Sequence, residues 1–200
     1  MPRRGIVPGD TVYVPGGILH TFGPDTLILE VQQTSDLGQF VMPFDLYGNR
    51  LDEDEWDANI EATLDELKTD FLPRPNPGLT LENYANLRVL CCAGPHFALE
   101  RWTLTEAYTE PAHPRRSFTL SNVGEGPVEL EYDGGSETLG RAESRVLPAA
   151  IGEVGVVPGE TTEASLVACY VPDLDLDVIE PLREAGYSDE EIRALGEVDI

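Results

Sequence analysis

Residues able to do chemistry gather early in the chain. The stretch Gly9–His20 reads GDTVYVPGGILH, and the run that follows reads TFGPDTLILEVQQTSD. Together they place His20, Glu30 and Asp36 within one short span. Neutral imidazole is a common ligand for zinc or iron. Each residue also has a plainer role. A lone histidine is usually not a ligand, a strand glutamate is often solvated, and an aspartate before a loop often caps a turn. Gln32 and Gln33 suit either a polar barrel lining or the surface.

The elements that must hold these residues read mainly as strands. From Gly5 to about Val41 the segments TVYV, ILHTF and TLILEVQ alternate with the turns PGG and GPD, which predicts a β-roll. Gly9 suits a strand start, Pro15 and Gly17 shape the next turn, and His20 then follows on a strand. Residues 53–72 read as a helix, with Trp56, Ile60, Leu64 and Leu67 at helical spacing. Asp52 and Glu55 resemble its capping box, and the PRPNPG segment at 73–78 stops it. Residues 86–172 return to short strands: NLRVLCCA, FALERWTLTEA, SFTLSNV, VELEYDG, RVLPA, GEVGVV and SLVACYV. Many short strands between turns predict a sandwich or barrel. Residues 173–200 read as two short helices, the first ending at Gly186 and the second opened by the Ser188–Glu191 capping box.

Composition narrows the function. The chain has 200 residues, 37 acidic and 13 basic, for a net charge of −24. That field disfavours nucleic acid and anionic membranes as partners. It also means that any phosphate site must be a local basic pocket. No apolar run is long enough to span a bilayer, and MPRRGIVPGD lacks the apolar core of a signal peptide, so a cytoplasmic location is expected. Cys91, Cys92 and Cys169 lack CxxC spacing and read as reduced, packed thiols.

The stretch VPGGILHTFGPDTLILEVQQTSD resembles the segment of type I mannose-6-phosphate isomerases that runs from the metal histidine of a cupin motif to a QQxSD sequence. FALERWTLTEA, EYDGGSETL and RVLPAAIGEVGV are similar to the second cupin domain of the bacterial members. The resemblance covers about residues 5–50 and 86–172. It implies a mostly β protein of cupin jelly rolls: part of a metal-type cupin over 1–50, a helix and linker over 51–85, a complete cupin without metal ligands over 86–173, and C-terminal helices over 174–200. It implies zinc as cofactor with His20 as a ligand, and Glu30 and Asp36 as active-site carboxylates. It also implies a sugar phosphate, mannose 6-phosphate, as substrate. The family's other zinc ligands, a QxH pair and a glutamate, have no counterpart among the 19 residues before His20. A longer protein, or a partner chain completing the first barrel, is therefore expected. The family arginine after the SD aspartate is replaced by Phe40, which leaves Arg50 as the candidate for its role.

Aligning AESRVLPAAIGE on GDTVYVPGGILH reveals an internal repeat, with Glu153 where His20 stands. His113, in EPAHPRRS, is expected alone in a loop; HPRRS could bind phosphate or could simply be solvated. Two functions remain open at this point. One is a zinc-dependent aldose–ketose isomerase, inactive as this chain alone. The other is a non-catalytic cupin that binds sugar or serves assembly. A third, weaker possibility is another small-molecule cupin enzyme built as a strand-swapped dimer.

Overall fold

The computed structural model describes residues 3–33, 41–45, 47–159 and 163–200. Contacts divide the chain into two units: Val14–Arg74, and the remainder, which runs through Tyr13 and from Pro75 to Ile200.

In the Val14–Arg74 unit the expected strands ILHTF and TLILEVQ do not form; residues 14–33 contain turns but no strand. A strand persists only where a neighbour completes its hydrogen bonds. None runs beside this segment among the described residues, and residues 21–30 are all exposed, with Leu27 at 100%. The helix does form, as α1 (Glu53–Glu66). The Asp52 side chain accepts from the Glu55 amide at 2.8 Å, and Glu53, Asp54 and Glu55 place negative charge at the helix's positive end. Trp56 anchors one face by donating from its indole to the Val41 carbonyl at 3.1 Å. The helix ends earlier than the prolines predict. Leu67 turns extended, and the Lys68 amide donates instead to the Gly17 carbonyl at 2.8 Å. That contact explains Gly17: its φ is +83°, and a Cβ there would meet the Glu66 carbonyl oxygen at 2.6 Å.

The larger unit is built from antiparallel strands. β1 (Thr11–Val12) pairs with β2 (Pro75–Asn76). Then follow β3 (Leu79–Asn83), β4 (Asn86–Ala93), β5 (Ala98–Leu104), β6 (Tyr108–Glu110), β7 (Phe118–Asn122), β8 (Val128–Tyr132), β9 (Gly135–Leu139), β10 (Ser144–Leu147), β11 (Val154–Pro158) and β12 (Ala164–Tyr170). They form a six-stranded sheet, ordered β10-β7-β12-β5-β4-β3, and a four-stranded sheet, ordered β6-β11-β8-β9. Non-sequential neighbours such as β12 beside both β5 and β7 give the jelly-roll arrangement expected for residues 86–172.

Period-two alternation decides what lies inside. On β5, Ala98, Glu100, Trp102 and Leu104 are buried, while Leu99, Arg101 and Thr103 are half-covered. On β12, Ala164, Leu166, Ala168 and Tyr170 are buried in the same way. Leu166 stands opposite Trp102 and Ala168 opposite Glu100. Leu120, Val128, Leu130, Leu139, Val154 and Val156 complete the core from the other strands.

The C-terminal segment closes one edge. A wide π-type turn, Leu174–Ile179, leads into α2 (Glu180–Glu184), and α3 (Asp189–Arg193) follows. The expected capping box is present: the Ser188 hydroxyl accepts from the Glu191 amide, and Glu191 accepts from the Ser188 amide at 2.8 Å. Val178, Leu182, Ile192 and Leu195 bury into the core. Tyr187 accepts at its hydroxyl from the Thr80 amide at 3.0 Å, which satisfies a donor on the edge strand β3. The three cysteines are free thiols. Burial pushes Cys92 up to about 12, with Cys91 and Cys169 adding to the shift, so it stays an unreactive packing group near neutral pH.

Leu166→Ala is expected to lower the free energy of unfolding by about 2–5 kcal/mol, because the side chain is fully buried opposite Trp102. Val146→Ala, at an edge-strand residue 70% exposed, is expected to cost less than about 0.5 kcal/mol. Urea melts of both variants check this; equal losses would contradict the inward and outward assignment.

Candidate functional site

His20 is exposed. Its Nδ1 lies 2.9 Å from the Ile18 carbonyl oxygen, and its ring meets Phe22 edge-on at 6.0 Å. Since a carbonyl only accepts, Nδ1 carries the proton and Nε2 is left as one possible metal donor. Zinc needs three or four protein ligands. No group of three or more His, Cys, Asp or Glu side chains able to hold a metal occurs among the described residues. The described surroundings of His20 therefore do not fit a zinc ion. Glu30, Gln32 and Gln33 are exposed, and Arg50 is exposed with its backbone bridged to Phe44. Asp36 and Phe40 lie outside the described residues.

Charged side chains do converge inside the jelly roll. Glu100 is 2% exposed, on the inner face of β5. Its Oε2 accepts from Arg88 Nη2 at 2.7 Å, Arg88 Nε at 3.2 Å and Trp102 Nε1 at 2.8 Å. Its Oε1 accepts from the Tyr170 hydroxyl at 2.6 Å. Arg88 lies directly across from Trp102 on β4, with its guanidinium over the indole at 5.1 Å. The same guanidinium donates to the Tyr108 hydroxyl, which donates to Glu110 Oε2 at 2.8 Å. Tyr108 and Glu110 belong to β6 of the other sheet, so Arg88 ties the two sheets together.

The network continues outward from Glu110. His113 Nε2 lies 2.7 Å from Glu110 Oε1 and 2.8 Å from Arg116 Nη2. One ring nitrogen cannot donate to the first and accept from the second at once, so either Nε2–H serves Glu110, or Nε2 accepts from Arg116 and the ring proton sits on Nδ1. Arg116 Nη2 also reaches Glu110 Oε1 at 3.4 Å, and Nη1 pairs with Asp177 at 2.8 Å. Its guanidinium lies over the Tyr170 ring at 4.0 Å. His113 is thus a half-buried member of a charged cluster, where the sequence suggested a lone loop residue. The backbone turn that returns Arg116 to Glu110 brings it there, and spacing alone does not reveal that.

The electrostatics favour fixed charges in the interior. Burial alone would push the Glu100 carboxyl up. The Arg88 guanidinium and the hydrogen bonds from Tyr170, Arg88 and Trp102 outweigh burial and hold it below the usual glutamate range. Burial would also lower Arg88, but Glu100 and Glu110 raise it further above its ordinary value. Burial first, and then Glu100, push the Tyr170 phenol well up. Near neutral pH these groups hold their protonation states. That suits anchoring and does not suit proton transfer.

Sequence alternation carried one signal for this cluster. Glu100 shares the parity of Ala98, Trp102 and Leu104 in ALERWTL, and a glutamate on an apolar face needs partners. The partners come from β4, β6 and β12, which are distant in sequence.

No protein-family model matches the sequence. The chain is similar to the probable mannose-6-phosphate isomerase GmuF of Bacillus subtilis (strain 168), 24% identical over 151 residues. The match covers 76% of this chain and 47% of that protein, so the chain spans less than half the length of this relative. The resemblance drawn from the sequence motifs thus meets a similarity to a protein of the same description. Among solved structures, the mannose 6-phosphate isomerase from Bacillus subtilis matches at 14% identity and a TM-score of 0.49, over 63% of this chain and 37% of that one. KdgF from Halomonas sp. matches at 18% identity and a TM-score of 0.39, over 47% of this chain and 87% of that one.

Glu100→Gln is expected to destabilise the protein by about 3 kcal/mol at pH 7, because it removes the closest partner of the largely buried Arg88 and leaves the longer contacts to Glu110 at 3.7 Å and Glu82 at 3.9 Å. The folded carboxyl is held below its unfolded value, so its contribution is complete above the unfolded value of about 4.3 and is lost as pH falls through the folded one. The gap between wild type and variant should therefore shrink below about pH 4. Denaturant melts from pH 7 to 3 measure it; a gap independent of pH would contradict the assignment.

Proposed function

We propose that this chain is a cupin of the sugar-phosphate isomerase kind. The proposed reaction is aldose–ketose exchange between mannose 6-phosphate and fructose 6-phosphate, in the cytoplasm. The similarity over 151 residues to a probable mannose-6-phosphate isomerase carries this reading. Such a reaction moves a proton between adjacent carbons through an enediol, and it needs a carboxylate as base. Glu30 and Asp36 are the proposed proton carriers, Arg50 the proposed charge partner and His20 the proposed zinc ligand. Because the described residues around His20 do not gather a zinc ligand set, no step through zinc is assigned. The remaining ligands are proposed to come from a larger assembly, such as a second chain or a dimer that completes the first barrel.

A second reading is a non-catalytic cupin that binds sugar or serves assembly. It is favoured by the jelly-roll interior, where Arg88 and Tyr170 hold the Glu100 carboxylate in fixed hydrogen bonds.

Purified alone and dialysed, the chain is expected to hold far less than one zinc ion by elemental analysis and to show no turnover in a coupled isomerase assay. Recovered from its own cells with any bound partner, it is expected to convert mannose 6-phosphate. His20→Ala should then lose both the zinc and that activity. A recovered assembly that retains zinc and binds mannose 6-phosphate without converting it would overturn the isomerase reading and select the second.

A further inference from the structure

The charged network opens to the surface at a cavity of about 440 Å³. Its wall is formed on one side by His113, Arg115 and Arg116, and on the other by Asp173, Leu176 and Asp177. That volume falls within the range of small-molecule sites.

Local charge is unlike that of the whole molecule. Two arginines face two aspartates here, so the wall is formally neutral with His113 uncharged, while the chain as a whole carries −24. The balance is also unevenly used. Asp177 is committed: Oδ1 pairs with Arg116 at 2.8 Å and Oδ2 accepts from the Asp173 amide at 2.8 Å. Asp173 caps the following turn by accepting from the Leu176 amide at 3.4 Å. Arg115, by contrast, has no ion-pair partner among the described residues. It is held at a defined place. The Arg116 amide donates to the His113 carbonyl at 3.1 Å, which closes a turn with Pro114 second and Arg115 third. Arg116 is fixed behind it over the Tyr170 ring, and its Nε–H lacks an acceptor among the described residues. An unpaired guanidinium, a second one held in place by Glu110 and Asp177, and an imidazole line one concave wall. Those groups recognise a phosphate monoester by charge-assisted hydrogen bonds.

We propose that this cavity binds the phosphate group of a small phosphorylated polyol, with Arg115 as the primary cation, His113 as a second donor and Asp173 available to hydroxyl groups. The choice of a sugar phosphate as the ligand rests on the isomerase reading above; the anion site itself rests on the cavity. The site lies in the jelly roll of the larger unit, so it would supply recognition and not turnover.

Isothermal titration of the full chain with mannose 6-phosphate, inorganic phosphate and unphosphorylated mannose tests this. Mannose 6-phosphate and inorganic phosphate are expected to saturate the site, and mannose is not. Arg115→Ala is expected to weaken binding about tenfold or more. Arg141→Ala removes the same charge at an exposed pair with Glu125, and should leave binding unchanged. Arg115 is exposed, and unchanged circular dichroism would confirm that the variant folds. No saturation by about 10 mM of either phosphate ligand, equal binding of mannose, or equal losses in the two variants would overturn the proposal. Phosphate binding without isomerisation in the recovered assembly would sink the isomerase reading and support this site. Isomerisation with no phosphate binding sensitive to Arg115 would do the reverse.

Discussion

Glu100 presents two carboxylate oxygens to an interior from which water is excluded. Bringing a charge there costs several kcal/mol unless it is met on every side. The surrounding strands are arranged to meet it. Arg88 comes from β4, Trp102 from the same face of β5, and Tyr170 from β12. Their registers follow: Arg88 must stand opposite Trp102, and Ala168 opposite Glu100, for the four side chains to converge. A one-residue slip of any of these strands would turn its partner outward and orphan the carboxylate. The ion pair thus acts as a register lock for the six-stranded sheet. Through Tyr108 and Glu110 it also joins that sheet to the four-stranded one.

The same constraint separates structural chemistry from functional chemistry. Inside the jelly roll Arg88 pairs with Glu100 and Glu110, and the shifts of Glu100 and Arg88 reinforce their charged forms. Toward the surface the pairing thins out. Glu110, His113, Arg116 and Asp177 carry it outward to Arg115, where a cation is left without a partner among the described residues. The Val14–Arg74 unit shows the opposite arrangement. Its apolar residues Leu19, Phe22, Leu27 and Leu29 are exposed, and among the described residues the histidine of its motif makes one polar contact, to the Ile18 carbonyl.

Much of the jelly roll was legible in the sequence, because alternation in ALERWTL and ASLVACY states which residues face inward. The short strands Leu79–Asn83, Tyr108–Glu110 and Gly135–Leu139 were not, since they are brief and polar and owe their form to neighbours. The Ser188 capping box was legible because both partners lie within one turn. Strands over residues 14–33 were expected from a local pattern, yet a strand also needs a partner, which the pattern does not provide. The polar cluster was the least legible part. Arg88, Tyr108, His113, Arg116 and Tyr170 span more than eighty positions of the chain, and only the inward parity of Glu100 announced that something must meet it. His20, Glu30 and Arg50 stood out by motif, and the structure leaves all three exposed.

Glu100 acts as an ionised structural anchor at neutral pH. Carbon-13 NMR of its side-chain carboxyl, followed from pH 8 into acid, measures this directly. The carboxyl signal is expected to stay at its ionised position throughout the neutral range and to titrate only below the ordinary glutamate value of about 4.3, together with the loss of folded signals. A midpoint above that value would mean a carboxyl that gains a proton in its sealed site. That would contradict the anchoring role and make Glu100 a candidate acid.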